Sequence, residues 1–240
     1  MTPRLAVILA AGRGVRLGPF GQDTAKGFIQ IAGATLIERS IAALRAAGIE
    51  RLVIVTGHLS AHYDALAVRL GKWVTIVHNP EYAASGSLVS LTCVGPLDEP
   101  YLLVESDLLY ERRAPGLLME SASADAVLAS GATGSGDEVY VGAKAGHLVD
   151  LTKQRHELRG EYAGEFVGLT RVSPALHARL LSEAARLLST TRHVEYEAGL
   201  VAAARIHALP VLPVVDLLWA EIDDEHHLER AISTIVPRLD

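Results

Sequence analysis

Residues 5 to 26 narrow the possible folds more sharply than any other part of the chain. A short apolar run, Leu5 to Leu9, opens directly into AAGRGVRLG, Ala10 to Gly18, and an isolated lysine follows at Lys26. An apolar run of strand length ending in small residues predicts a buried strand that delivers a loop. Because glycine has no side chain, the backbone N–H groups of such a loop can come close to a phosphate chain. Arg13, Arg16 and Lys26 would add the charge a triphosphate needs, the arginines as flat forks and the lysine as a point charge. A tight turn after a strand is the plain alternative for the loop taken alone.

Two commoner glycine loops do not fit. With glycines at Gly12, Gly14 and Gly18, the third glycine of a dinucleotide fingerprint would fall at Leu17, and no lysine-serine or lysine-threonine pair closes a P-loop. A dinucleotide dehydrogenase is disfavoured on that spacing.

The first hundred residues repeat one grammar. Thr35 and Glu38 are spaced as a capping box, Ile37, Ile41 and Leu44 form an apolar helical face, and Gly48 sits where a left-handed cap is expected. Leu52 to Thr56 then reads as a strand, with Ser60 as a helix N-cap, Tyr63, Leu66 and Leu70 as a helical stripe, and Gly71 as a stop. Val74 to His78 is a third strand, followed by a short helix from Ser87, and Tyr101 to Val104 is a fourth, ending in Glu105-Ser106-Asp107. Alternating strands and helices predict an α/β fold, a Rossmann-like, mostly parallel mixed sheet with helices on both faces. In such sheets ligands collect at the C-terminal strand ends, the edge where the glycine loop and Asp107 would lie.

The second half is more strand-rich: Ala126 to Ala129, Val139 to Ala143, Leu148 to Lys153 and Phe166 to Val172. Two polar connections, Gly131 to Glu138 and Gln154 to Gly164, are candidates for a lid or a substrate wall. Ser173 and Pro174 open a helix as N-cap and first residue. Another helix is expected over Val194 to Ile206, then extended pieces at Leu209 to Val215 and Leu218 to Ile222, and a last helix from Glu225. With no linker and no repeat, residues 1–240 are expected to form a single domain, residues 1–110 binding nucleotide and 111–240 binding an acceptor.

Composition removes several classes of function. A formal charge of −6 without long runs argues against a nucleic-acid groove, so an anionic ligand needs a local basic site. No apolar run has the length of a membrane span. Met1 to Arg4 lead straight into the first strand, which leaves no room for a signal peptide, and the single cysteine, Cys93, excludes an intrachain disulfide; a cytoplasmic protein is expected.

Two acids stand where they could do chemistry. Asp107 closes a buried strand at the ligand edge, and Asp223, in WAEIDDEHHLERA, also follows an apolar strand, so the two could flank one Mg²⁺; Asp224 and Glu225 read as ordinary helix caps. Of the ten histidines none forms a convincing metal site: His58 and His62 have the right spacing, but Leu59 stands where a zinc-protease motif needs Glu. ASGS, Ala84 to Ser87, lacks the second glycine of a hydrolase nucleophile elbow, and Cys93 reads as core packing.

Together, LAAGRGVRLG with Lys26, VESDLLY around Asp107 and WAEIDDEHHLERA around Asp223 resemble the nucleotidyltransferases of the nucleotide-diphospho-sugar transferase fold, over almost the whole chain. GEFVGLTRVS, from Gly164, and YEAGLVAAA, from Tyr196, look most like the cytidylyltransferases acting on phosphonates such as 2-aminoethylphosphonate, close relatives of the phosphocholine cytidylyltransferases. The resemblance implies that Leu9, Ala10, Ala11, Gly12, Arg13 and Gly14 wrap the nucleotide and that Arg16 and Lys26 hold the triphosphate. It further implies base contacts from Gly57, His58, Ser85, Gly86 and Ser87, and Mg²⁺ ligation by Asp107 and Asp223. Glu165, Tyr196 and Glu197 are the candidate acceptor residues, the two glutamates suiting a primary amine. One departure stands out: many members carry a proline just before the phosphate lysine, and this chain has Ala25.

The implied activity is transfer of CMP from CTP to a small phosphonate with release of pyrophosphate, catalysed by Lys26, Arg16 and Asp107. The expected partners are CTP and a phosphonate or phosphate-bearing acceptor, with a second copy of the chain a further candidate and neither nucleic acid nor membrane. A sugar-1-phosphate or phosphocholine nucleotidyltransferase of the same fold is the alternative. A non-catalytic nucleotide-binding module is the alternative from another class.

Overall fold

The structure is a computed structural model that describes residues 2–18 and 20–239; Met1, expected to lead into the first strand, lies outside the described residues. Strand β1, Leu5–Ala10, is buried along its whole length, as its apolar run requires. It is flanked in parallel by β2, Arg51–Thr56, and by β4, Tyr101–Glu105, while β3, Val74–His78, extends the sheet beyond β2. The helices between them are α1, Leu36–Ala46, α2, Ser60–Leu70, and α3, Ser87–Thr92.

The period-two alternation of β1 feeds two separate cores. Ala6, Ile8 and Ala10 face Ile37, Ile41 and Leu44 of α1 and Tyr63 and Leu66 of α2. Leu5, Val7 and Leu9 face the opposite layer, built from Leu88 and Leu91 of α3 and from two later helices. Those helices are α5, Pro174–Leu187, and α6, Tyr196–Ala204; α4, Ala114–Glu120, lies with the first layer through Leu118. Burial on both faces is what turns β1 into a continuous apolar run.

The remaining strands are β5, Ala126–Ser130, β6, Tyr140–Lys144, β7, His147–Thr152, β8, Glu161–Val172, and β9, Val211–Val214. The long β8 organises them: it runs antiparallel to β4, β5 and β6, while β7 pairs with β6 and β9 runs parallel to β5. The described strands thus form one nine-stranded mixed sheet, parallel in its first half and largely antiparallel in its second. No helix among the described residues is long and apolar enough to cross a membrane.

Several expectations need correction. Residues 161–164, read as loop, belong to β8, because their backbone pairs with β6. Ser60 is the first residue of α2, and Leu59, at φ +52°, takes the N-cap position. A two-stranded ribbon that the sequence reading did not separate pairs Leu108–Tyr110 with Trp219–Glu221. The capping box of Thr35 and Glu38, the Ser173 cap and the Asp224 cap of α7, Glu225–Arg230, form as expected.

Candidate active site

Beyond β1 the chain turns through Gly14, whose φ of +62° is strained for any residue with a Cβ. A short 3₁₀ turn, Val15–Leu17, follows. Leu17 is buried in a third apolar cluster with Ile29 and Leu36, which gives a packing reason for the residue that breaks the dinucleotide spacing. With Leu17 anchored, Arg16 faces a cavity of about 450 Å³ that also takes in Leu9, Ala10, Ala11, Gly12 and Arg13. The far walls come from Ser85, Gly86 and Ser87 at the start of α3, from Glu105 to Asp107 after β4, from Lys153, from Glu195, Tyr196 and Glu197 at the start of α6, and from Glu221 and Asp223. The C-terminal ends of β1 and β4 therefore open onto the same space.

The early lysine and the two later acids meet here. Lys26 Nζ donates to Asp107 Oδ2 at 2.7 Å and to Asp223 Oδ1. The Arg16 guanidinium donates to Asp223 Oδ2 and, at 2.5 Å, to Asp137 Oδ2. Burial alone would raise the Asp223 carboxyl, but Lys26, a hydrogen bond with Glu221 and Arg16 outweigh it and hold it down to about 2. Burial opposes the charge on Lys26 too, and Asp107 and Asp223 more than restore it, so the ammonium is held above its ordinary range.

Deeper in the cavity the balance reverses. Glu105, Glu197 and Glu221 are all pushed up, first by burial and then by the negative charge of neighbouring acids, Glu197 to about 7. Tyr196 Oη donates to Glu105 Oε1 at 2.5 Å, whereas Glu197 Oε2 is buried with no hydrogen-bond partner among the described residues. Oxygens of Glu105, Asp107 and Glu221 lie within 4.8 Å of one another, an all-oxygen set of the kind hard divalent cations take. Crowded, half-buried carboxylates of this sort call for protons or for a cation.

Other expected residues stand behind the walls. Gly57 lies where an added Cβ would come within 2.4 Å of Tyr82 and 2.8 Å of the Ala11 carbonyl, and the His58 N–H donates to that same carbonyl at 3.3 Å. Both stand outside the cavity lining, as does Gly14, where an added Cβ would come within 3.4 Å of the Lys26 stem. Glu165 is also outside: it is buried, and its Oε2 accepts the Thr133 N–H at 2.8 Å. Trp219 is turned away, its Nε1 donating to Ser130 Oγ at 2.7 Å.

Glu105, Glu221 and Lys153 were missed from sequence. A signal for the first two existed: VESD and AEID each place a glutamate two residues before the acid singled out, and i, i+2 residues of an extended chain share a face. Lys153, one charge at the end of an expected strand, left no such mark.

Residues 6–195 match the family model of the MobA-like NTP transferase domain. The chain is 29% identical over 238 residues to the CMP-5'-(3-aminopropyl)phosphonate synthase of Streptomyces rubellomurinus, which covers 92% of this chain and 37% of that protein. It is 38% identical over 89 residues to the choline-phosphate cytidylyltransferase of Streptococcus pneumoniae, covering 37% of this chain and 38% of that protein. The matched segments thus span well under half of each relative's own length. Among solved structures, the inositol-1-phosphate CTP transferase from T. maritima superposes with a TM-score of 0.80 at 19% identity, over 100% of this chain and 99% of that one, which establishes the shared fold. With the cation rim and the converging acids in place at the strand ends, the chain belongs to the MobA-like NTP transferase domain family, a family of nucleotidyltransferases.

Proposed function

We propose that the chain is a cytidylyltransferase that moves CMP from CTP onto a small aminoalkylphosphonate and releases pyrophosphate, with Mg²⁺ as its cofactor. The observation that carries the reading is the mixed charge of one cavity, lined by Arg13, Arg16 and Lys26 together with the half-buried acids Glu105, Glu197 and Glu221. The cations Arg13, Arg16 and Lys26 suit a triphosphate. Glu197, with an unpartnered buried oxygen beside Glu105, suits a primary ammonium, which brings three N–H donors. A trimethylammonium group brings none and favours aromatic faces instead.

In the reaction an oxygen of the phosphonate attacks the α-phosphorus of CTP; the new P–O bond forms as the bond to the pyrophosphate oxygen breaks. The nucleophile is already anionic, so no side chain has to remove a proton. Lys26 and Arg16 offset the charge that shifts onto phosphoryl oxygens, and the rigid loop holds the reacting groups in line. The donor set fits Mg²⁺: Asp107 and Glu221, clustered with Glu105, would hold the ion, with Asp223 beside Glu221, and the ion would supply charge neutralisation for the polyphosphate.

Pyrophosphate release is the test, with CTP and UTP each offered with 3-aminopropylphosphonate, 2-aminoethylphosphonate, phosphocholine, inositol 1-phosphate and sugar 1-phosphates. Turnover of the aminoalkylphosphonates with CTP is expected. Turnover confined to sugar phosphates overturns the reading, and CTP binding without release from any acceptor identifies a non-catalytic module.

A further inference from the structure

Arg16 and Lys153 both line the cavity, and one carboxylate lies between them: Asp137 Oδ2 is 2.5 Å from Arg16 and Asp137 Oδ1 is 2.7 Å from Lys153 Nζ. A two-oxygen anion accepting from a guanidinium and an ammonium occupies the pair of donors that a phosphonate or phosphate group would use. Burial works against the charge on Asp137, and the two cations outweigh it, so the carboxylate stays ionised.

The way Asp137 is carried matters. It sits near the end of the polar connection 131–138, whose base is fixed: Thr133 donates its N–H to Glu165, and its carbonyl accepts from Arg230 at 2.5 Å. Gly134 and Gly136, both at positive φ, separate that base from Asp137. Beyond the short-range contact of its N–H with Ser135 Oγ, the side-chain hydrogen bonds of Asp137 are those to Arg16 and Lys153, whose side chains are half exposed. The base is held by the two part-buried hydrogen bonds of Thr133, whereas the ion pairs of Asp137 run to half-exposed side chains and are readily exchanged.

We propose that Lys153 and Arg16 form the subsite for the acceptor's phosphonate or phosphate group, and that Asp137 covers this subsite as a built-in stand-in for that anion. Lys153 belongs to the acceptor side of the cavity. It follows β7, it lowers the charge penalty on Glu197, and it is remote in sequence from the glycine loop. An acceptor with ammonium on Glu197 and its phosphorus group on Lys153 would present that group to the rim where Arg16 and Lys26 stand. The entering anion displaces Asp137 and inherits its two cations. This assignment rests on the proposed phosphoryl-acceptor chemistry.

The test splits the Michaelis constants. K153M is expected to raise the acceptor KM by about ten- to a hundredfold, the range for a lost charge-assisted hydrogen bond, with the CTP KM unchanged and K153R restoring part of the loss. D137N is expected to lower the acceptor KM by about two- to fivefold, the range for removing a competing exposed ion pair. A K153M effect on CTP alone, or a higher acceptor KM in D137N, overturns the assignment. Titration with methylphosphonate, without nucleotide, gives a readout independent of turnover: binding weaker in K153M and tighter in D137N supports the subsite, and binding unchanged in both overturns it. If no acceptor in the panel turns over, the functional reading fails while the titration still decides this one. Thermal unfolding of each variant confirms that the fold is retained.

Discussion

Lys26 has two separable duties, because its ammonium both faces the cavity and separates two acids, Asp107 and Asp223, the latter only 1% exposed. Replacing it by methionine should reduce turnover by about a hundredfold or more, the scale for losing one preorganised donor. It should also destabilise the fold by roughly 3 kcal/mol, since breaking the part-buried ion pair leaves Asp107 without the ammonium it pairs with. Adding D107N to K26M should recover most of the stability and none of the activity, because Asp223 keeps Arg16. Denaturant midpoints and pyrophosphate assays on the two variants separate the duties. What the sequence could tell at this scale was residue identity at strand ends: Lys26, Asp107 and Asp223 were readable because each follows an apolar run or a glycine loop. Glu165 was drawn from a family segment, and the direction of its side chain, toward Thr133, is a tertiary fact that no local pattern encodes.

At the level of elements, the starts of α3 and α6 brace each other. Glu195 Oε2 accepts both the N–H of Ser87, at 2.9 Å, and its hydroxyl, and the Tyr196 N–H donates to Ser87 Oγ at 2.9 Å. Gly86 allows the close approach: a Cβ there would stand 2.3 Å from the Val194 carbonyl. The wall next to the nucleotide loop and the wall that carries Glu197 are therefore one unit. E195A is expected to raise the KM for both substrates, each by roughly tenfold as hydrogen bonds to a charged group are lost, and a change confined to one substrate would show the walls to be independent. Most elements were legible because the apolar period switches between two and 3.6 along the first hundred residues. The strand residues 161–164 were not, since QRHELRGEYAG is polar and its extended form comes from pairing with β6. The Leu108–Tyr110 ribbon was hidden in an apolar stretch too short to separate from β4.

Across the whole molecule, His177 ties α5 to the sheet. Its Nδ1 lies 2.9 Å from the Tyr101 hydroxyl and its Nε2 lies 2.8 Å from the Gly95 carbonyl, an arrangement that a neutral ring satisfies as acceptor and donor. Burial pushes its pKa down, against the opposing hydrogen bond to Gly95. A folded value below the unfolded value of about 6.5 means the unfolded chain binds more protons in the interval between them. This contribution to stability is complete above pH about 6.5 and is lost as the pH falls through the folded value. The melting temperature should therefore drop on acidification below about pH 6.5, and H177Q should flatten that part of the profile; an unchanged slope in H177Q would assign the effect to other groups.

The ribbon joining Leu108–Tyr110 to Trp219–Glu221, with the Ile222 N–H on the Asp107 carbonyl at 2.9 Å, seats Asp223 through a pairing more than a hundred residues long in sequence. Central strands can associate before that late segment docks, so renaturation should restore ellipticity first and catalysis only afterwards. Trp219 lies inside the ribbon and Trp73 is the other tryptophan, so W73F leaves a single fluorophore on the last piece to arrive. Its emission and the recovery of turnover should rise with one rate constant after dilution from denaturant.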